Sequence, residues 1–295
     1  MKDKTLVISF SGGRTSAYMT HLLLQQKDLW KDVVVLFANT GQEDERTLDF
    51  VNNCDTFFGF NTVWLEALVT PEKGVGTSFQ KVDYQTASRD GAPFEAAIAK
   101  YGIPFTKSPH CTRELKQYPI QAYLRSLGLK KSEYRMAIGI RVDEIDRMSP
   151  NAGKNSLMYP LVEHNVTKQG VLDWWRQQPF DLDIPEHYGN CVWCWKKSFR
   201  KLFTLLDERP EAFEFPERME KLYGNKGAVA NKIGKELKFF RGFKSVQDLR
   251  EMAQEGYNEF VDQHYLDISN GCSESCEVTF EEPSQLEFEL IMENT

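Results

Sequence analysis

No run of apolar residues in this 295-residue chain approaches the length of a membrane span, so no membrane partner is expected. Met1-Lys2-Asp3-Lys4 leads directly into a strand-like run, so a signal peptide is not expected. Cysteine is sparse. Six in a chain this long, without a secretory leader, argue for free thiols or metal ligands over a disulfide framework. Positive charge is short as well: Lys and Arg number 36 against 43 Asp and Glu, a net charge of −7, so no chain-wide field gathers nucleic acid, although a local patch is compatible with this balance. There is no internal repeat or coiled-coil heptad, and neither G-x-x-x-x-G-K-[ST] nor G-x-G-x-x-G spacing occurs at the glycine-rich turn. What remains is ordinary globular composition, with 41% hydrophobic and 27% charged residues. One large or two modest domains and a cytoplasmic, homo-oligomeric enzyme are the expectation.

The first pattern present is Leu6-Val7-Ile8-Ser9-Phe10 breaking into Ser11-Gly12-Gly13-Arg14-Thr15-Ser16, with helical spacing from Ala17 to Leu24 directly after. This order predicts buried strand, tight turn and helix start. Paired glycines admit a ligand close to the backbone, and the new helix offers unpaired N–H groups, a combination suited to phosphate; a plain strand-to-helix turn is the alternative. Val33 to Ala38 is a second continuous apolar run, ending in Asn39-Thr40-Gly41, with a helix from Glu45. Thr62 to Leu65 and Tyr134 to Ile140 read as further strands, the latter running into Arg141-Val142-Asp143-Glu144-Ile145-Asp146-Arg147. Repeated strand–helix steps predict an α/β fold with a mostly parallel sheet, helices on both faces and ligands at the carboxyl ends of the strands. Arg141 and Arg147 are candidate anion ligands, or else members of an ion network with Asp143, Glu144 and Asp146. From Pro71 to Arg89 the periodicity dissolves, which predicts a long mobile loop.

The turn resembles the S-G-G-x-[DT]-S loop of the ATP pyrophosphatases (PP-loop proteins), with Thr15 where many of them carry Asp. Joined to Asn39-Thr40-Gly41 with Glu45 and Thr47, Cys111 with Lys116 and Pro119, Gly139-Ile140-Arg141 with Glu144 and Arg147, and Tyr159-Pro160-Leu161, the series resembles the phosphoadenosine phosphosulfate (PAPS) reductase family over residues 5–200. The resemblance implies an adenine-nucleotide α-hydrolase-like fold that binds ATP or PAPS, with Mg²⁺ usual for ATP. Ser11, Gly12, Gly13, Arg14, Thr15 and Ser16 would hold phosphate, Asn39, Thr40, Gly41 and Gly139 would border the nucleotide, and Cys111, Lys116 and Arg141 would be catalytic. The family's reductases end in Glu-Cys-Gly-Leu-His, which this chain lacks. That departure puts PAPS reduction second to ATP-dependent adenylation with sulfur transfer, as in the DNA phosphorothioation enzymes and tRNA thiolases that the chain also resembles. A sulfur donor or thiol reductant, and a DNA or RNA substrate, are the partners this implies.

Cys191-Val192-Trp193-Cys194 directs two thiols at one centre and suits zinc, an iron–sulfur cluster or a redox pair. With Cys111 as third ligand, Cys191 and Cys194 would hold a 4Fe–4S cluster with one open iron, as in the cluster-dependent thiolases. Alternatively Cys272 and Cys276 would complete a zinc site, in which case a non-catalytic nucleotide- or nucleic-acid-binding protein is the reading. Cys54 is expected in the core. Trp174, Trp175, Trp193 and Trp195 beside Lys196, Lys197, Arg200 and Lys201 could stack bases or simply fill a core. Residues 226–244 are the most basic stretch. The expected division is a nucleotide-binding part over 1–165, a cysteine-containing helical region over 166–265, and an acidic tail over 266–295 that is expected to be flexible.

Overall fold

The computed structural model describes residues 2–106, 108–189 and 191–259. Its centre is a six-stranded sheet in the order β4-β3-β2-β1-β5-β6, made of β1 (Thr5–Ser9), β2 (Asp32–Asn39), β3 (Val63–Leu68), β4 (Ser78–Val82), β5 (Tyr134–Ala137) and β6 (Leu157–Met158). All neighbours are parallel except β4, which runs antiparallel to β3 on the edge. β1 lies between β2 and β5, with Val7 in register with Val34 on one side and Met136 on the other.

The continuous apolar runs are explained by burial on both faces. Leu6, Ile8 and Phe10 belong to one core with Phe37 and Trp64, covered by α1 (Arg14–Leu24) and α2 (Glu45–Phe58). Val7, Leu36, Leu65 and Met136 face the other way, against Ile120, Tyr123 and Leu124 of α5 (Tyr118–Ser126). Alternate side chains of one strand thus enter two cores, as a sheet covered on both sides requires. This is the mostly parallel α/β architecture expected from the sequence.

α3 (Ala92–Tyr101) and the short α4 (His110–Thr112) lead to α5 through a π-helical turn, Arg113–Gln117. Beyond the sheet come α6 (Pro160–Glu163), α7 (Lys168–Trp175), α8 (Phe199–Glu208), α9 (Glu214–Tyr223), α10 (Ala228–Ile233) and α11 (Val246–Gln254). The core on the α1–α2 side continues into this helical part through Leu202, Phe213, Met219, Val246 and Leu249.

Within 71–89 the structure corrects the expected long loop. The segment forms β4, and its ends are pinned: Thr77 donates to the buried Glu114, Tyr84 to Asp49 at 2.5 Å, and Ser88 N–H to Glu66 at 2.6 Å. An edge strand as short as Ser-Phe-Gln-Lys-Val carries little periodic signal because one partner strand and a few side-chain anchors define it.

Glu220 on α9 couples the C-terminal helices: its two carboxylate oxygens accept from the N–H groups of Phe239 at 3.0 Å and Val246 at 3.1 Å. Burial pushes its carboxyl up to about 7, against the pull of those two donors. Because this folded-state value lies above the ordinary 4.5, the stability it contributes is complete below pH 4.5 and is lost as pH rises through 7. Urea midpoints should therefore fall between pH 5 and pH 8, by roughly 2–3 kcal/mol in stability. Glu220→Gln should flatten that slope, and an unchanged slope in the variant would place the titration elsewhere.

Candidate active site

The carboxyl ends of β1, β2 and β5 open on one edge, and three turns meet there. The first is the Ser-Gly-Gly loop. Gly12 sits at φ +83°, and a Cβ there would come within 2.8 Å of the Thr47 methyl and 3.1 Å of Phe37, so only glycine fits. The fully buried Ser16 hydroxyl ties the loop to itself, meeting Ser11 Oγ at 2.8 Å and donating to the Gly13 carbonyl at 3.0 Å. Gly13 is extended (φ −101°, ψ 160°) and precedes the first helical residue of α1, where the helix N–H groups and its dipole favour an anion. Beside it, the buried Thr47 hydroxyl has no hydrogen-bond partner.

Arg141 follows β5. It donates to Thr15 Oγ1 at 2.9 Å, pairs with Asp143 at 2.9 Å and lies 3.2 Å from Glu144. The ion network expected as one of the two readings is present, and Arg141 also reaches Thr15 of the Ser-Gly-Gly loop. Burial opposes ionisation of Asp143, but the hydrogen bonds and attraction of Arg141 outweigh it and hold the carboxyl below its ordinary value. Charge-assisted hydrogen bonds are worth about 1.5–3 kcal/mol, so Arg141→Ala should weaken ATP binding roughly ten- to a hundredfold in calorimetry. A loss of stability with affinity intact would leave Arg141 with the ion network alone. Gly139 is buried between β5 and Arg141.

The resemblance places Arg14 at the ligand, whereas its hydrogen bonds are structural. Nε donates to Asp181 at 2.7 Å, another guanidinium N–H donates to the Leu182 carbonyl, and its own carbonyl accepts from Trp175 Nε1 at 3.0 Å. It ties α1 to the segment after α7.

The second turn is Asn39-Thr40-Gly41. Asn39 donates to the fully buried Glu66 at 2.6 Å and to the Ser88 carbonyl at 2.9 Å, which fixes the turn to β3 and to the segment after β4. Glu66 is an anchor of this turn that sequence reasoning missed; an acidic residue inside an apolar strand was the available signal. Thr40 donates to Glu43 at 2.9 Å and meets Cys191 Sγ at 3.4 Å.

That contact brings the third element in. Cys191 forms an antiparallel bridge with Glu43, Val192 N–H donates to the Gln42 carbonyl at 2.9 Å, and the Trp193 indole donates to the Gln42 side chain. Lys197 reaches back to the carbonyls of Cys191 (3.2 Å) and Val192. Burial pushes the Cys191 thiol up to about 12, aided by Glu43, while Lys116 and the Thr40 hydroxyl pull the other way and a charge on Cys111 would raise it further. Cys111, Lys116 and Cys191 thus share one electrostatic neighbourhood. Lys116 is buried on the π-helical turn, a distortion often found at functional sites.

The expected three-thiol metal group is not gathered: among the described residues, no set of three or more His, Cys, Asp or Glu side chains is arranged to hold a metal ion. Cys191 faces Thr40, while Cys194 is buried and its N–H closes a turn on the Cys191 carbonyl at 2.9 Å. Cys272 and Cys276 lie outside the described residues, as does the acidic tail. Cys54 is buried in the core, as expected.

Of the two readings open for the indoles, the core one holds for Trp175, Trp193 and Trp195. Trp175, Trp193 and Trp195 are buried, and Trp193 packs on Phe94, Phe215 and Phe239. Lys197 and Lys201 are buried as well, Lys201 against Glu186 at 2.5 Å. This cluster is core rather than a base-stacking platform.

A family model for the phosphoadenosine phosphosulfate reductase domain matches residues 5–149, the stretch that builds the phosphate loop, the Asn39 turn, the Cys111 segment and Arg141. The chain belongs to the phosphoadenosine phosphosulfate reductase family, a family of PP-loop nucleotide-binding proteins. It is 35% identical over 281 residues, 92% of this chain and 94% of the relative, to the uncharacterized nin region protein ORF290 of Escherichia phage lambda. A more distant relative is the uncharacterized protein MJ0066 of Methanocaldococcus jannaschii, 26% identical over 121 residues, 41% of this chain and 20% of that protein. No helix among the described residues is long and apolar enough to cross a membrane.

Proposed function

We propose that this chain is a nucleotide-activating enzyme that binds ATP at the edge formed by the Ser-Gly-Gly loop, the Asn39 turn and Arg141. It adenylates an acceptor and delivers sulfur to it through the Cys191 thiol. The observation that carries this reading is the 3.4 Å contact between Cys191 Sγ and Thr40 Oγ1, which sets a thiol on the turn expected to border the nucleotide. The backbone N–H groups at the start of α1 would hold the departing pyrophosphate, with Mg²⁺ accompanying the ATP phosphates, and Arg141 would offset charge on the phosphate that remains. Sulfur carried on Cys191 as a persulfide, handed over by a persulfide-bearing donor, would displace AMP from the adenylated acceptor through its outer sulfur to leave an acceptor–S–S–Cys191 disulfide. An external dithiol, itself oxidised to the disulfide, would cleave that bond to free the thiolated acceptor and restore the Cys191 thiol. Lys116 would favour the charged sulfur.

PAPS reduction is the second reading, favoured by the family match. Parallel incubations separate the two. ATP with a persulfide donor, a dithiol and nucleic acid as acceptor should yield pyrophosphate and AMP, whereas PAPS with a dithiol would yield adenosine 3′,5′-bisphosphate and sulfite. Turnover of PAPS alone would overturn the adenylation reading, and binding of both nucleotides without turnover would leave a nucleotide-binding protein.

A further inference from the structure

The basic stretch beyond α9 is fixed beside the cysteine segments. A Cβ on Gly102 would come within 2.5 Å of the Lys226 carbonyl, and one on Gly227 within 2.5 Å of the Tyr101 carbonyl. Two backbones therefore cross at contact distance just where α3 ends and the chain turns toward Cys111. From 226 to 244 the sequence carries six Lys or Arg against the single acid Glu236, in a chain of net charge −7. The stretch ends in a tight hairpin, in which Phe240 and Lys244 exchange backbone hydrogen bonds of 3.0 and 3.2 Å around Arg241, Gly242 and Phe243.

Two features of this hairpin exceed what packing requires. Phe243 holds the left-handed region at φ +58°, which is costly for a bulky residue and which Gly or Asn would adopt with less strain. Its ring is nevertheless 44% exposed, resting on the buried Phe105 at 5.5 Å between centroids, with Arg241 and Lys244 on either side. The hairpin also reaches the candidate site: Arg241 donates to the Lys196 carbonyl at 2.6 Å, and Lys196 donates to Thr112 Oγ1 at 3.5 Å, next to Cys111.

Building on the reading of Cys191 as the sulfur-delivering thiol, we propose that the acceptor is a single-stranded nucleic acid. The 240–244 hairpin grips it by stacking a base on Phe243 and binding flanking phosphates with Arg241 and Lys244. An exposed aromatic face between cations is the arrangement that binds unpaired bases without sequence preference, and the cations upstream extend the track along the backbone.

The test uses the full chain and fluorescence anisotropy with labelled dT20, U20 and a 20-base-pair duplex, over a salt series, beside calorimetry with ATP. One or both single strands should bind more tightly than the duplex, and comparing dT20 with U20 identifies DNA or RNA as the source. Phe243→Gly, which relieves the left-handed strain, should keep the melting temperature and weaken strand binding by about tenfold or more. Phe243→Leu, which keeps an apolar side chain against Phe105 but offers no π face, should behave alike. Arg241→Gln with Lys244→Gln should reduce the salt slope by about 0.7 for each phosphate that is no longer neutralised. ATP affinity should be unchanged in all three. Wild-type strand affinity in both Phe243 variants, or equal affinity for duplex, would overturn the inference. Failure of the wild-type chain to bind any strand, with ATP turnover intact, would sink this inference alone, whereas strand binding without ATP binding would sink the adenylation reading instead.

Discussion

Cys191→Ser is expected to abolish sulfur transfer, lowering turnover on the order of 10³-fold or more, while ATP affinity stays within about twofold of wild type. Serine preserves the size of the side chain and a polar contact with Thr40, so the turn after β2 keeps its shape. What disappears is the polarizable sulfur. Because burial and Glu43 raise the thiol to about 12, the ligand-free protein keeps the half-buried Cys191 protonated. Alkylation by iodoacetamide at pH 8 should accordingly run a hundredfold or more slower at Cys191 than at an unstructured thiol, whose ordinary pKa is about 8.5. Turnover of Cys191→Ser at the wild-type rate would remove the thiol from the mechanism.

Gly13→Val should weaken ATP binding by at least about a hundredfold without unfolding the chain. The extended backbone at Gly13 is one that valine adopts without left-handed strain, at the residue that precedes the first turn of α1. Gly12 is the contrasting case. At φ +83°, with the Thr47 methyl 2.8 Å from its Cβ position, Gly12→Val should lower the melting temperature as well as the affinity. Unchanged ATP affinity in a folded Gly13→Val protein would contradict the phosphate-loop assignment.

Much of this was legible along the chain. The four runs beginning near Leu6, Val33, Thr62 and Tyr134 are the four central strands, because strands buried on both faces cannot disguise their apolar character. The Ser-Gly-Gly and Asn39 turns were readable for the opposite reason: glycines and small polar residues interrupt those runs abruptly.

What escaped the sequence depends on distant partners. β4 is defined by its pairing with β3 and by anchors on Glu66 and Glu114, not by its own periodicity. Arg14 is adjacent to the phosphate loop in sequence yet is held by Asp181, a residue 167 positions away. The indoles after Cys191 have polar and basic sequence neighbours that suggest exposure, but Trp193 enters the core through Phe94 and Phe215 while Lys197 folds back on backbone carbonyls. No local pattern announces that Cys191 would pair with Glu43 across the site, since a single bridge between distant loops leaves no periodic trace.

The most direct measurement is the alkylation rate of each cysteine, followed by peptide mass spectrometry at pH 8 with and without saturating ATP. If the nucleotide occupies the edge where Cys191 meets Thr40, the rate at Cys191 should change at least about tenfold on ATP addition. Cys54, buried on the core face of α2, should not respond. An identical Cys191 rate in both samples, under conditions where calorimetry records ATP bound, would contradict the placement of the nucleotide beside this thiol.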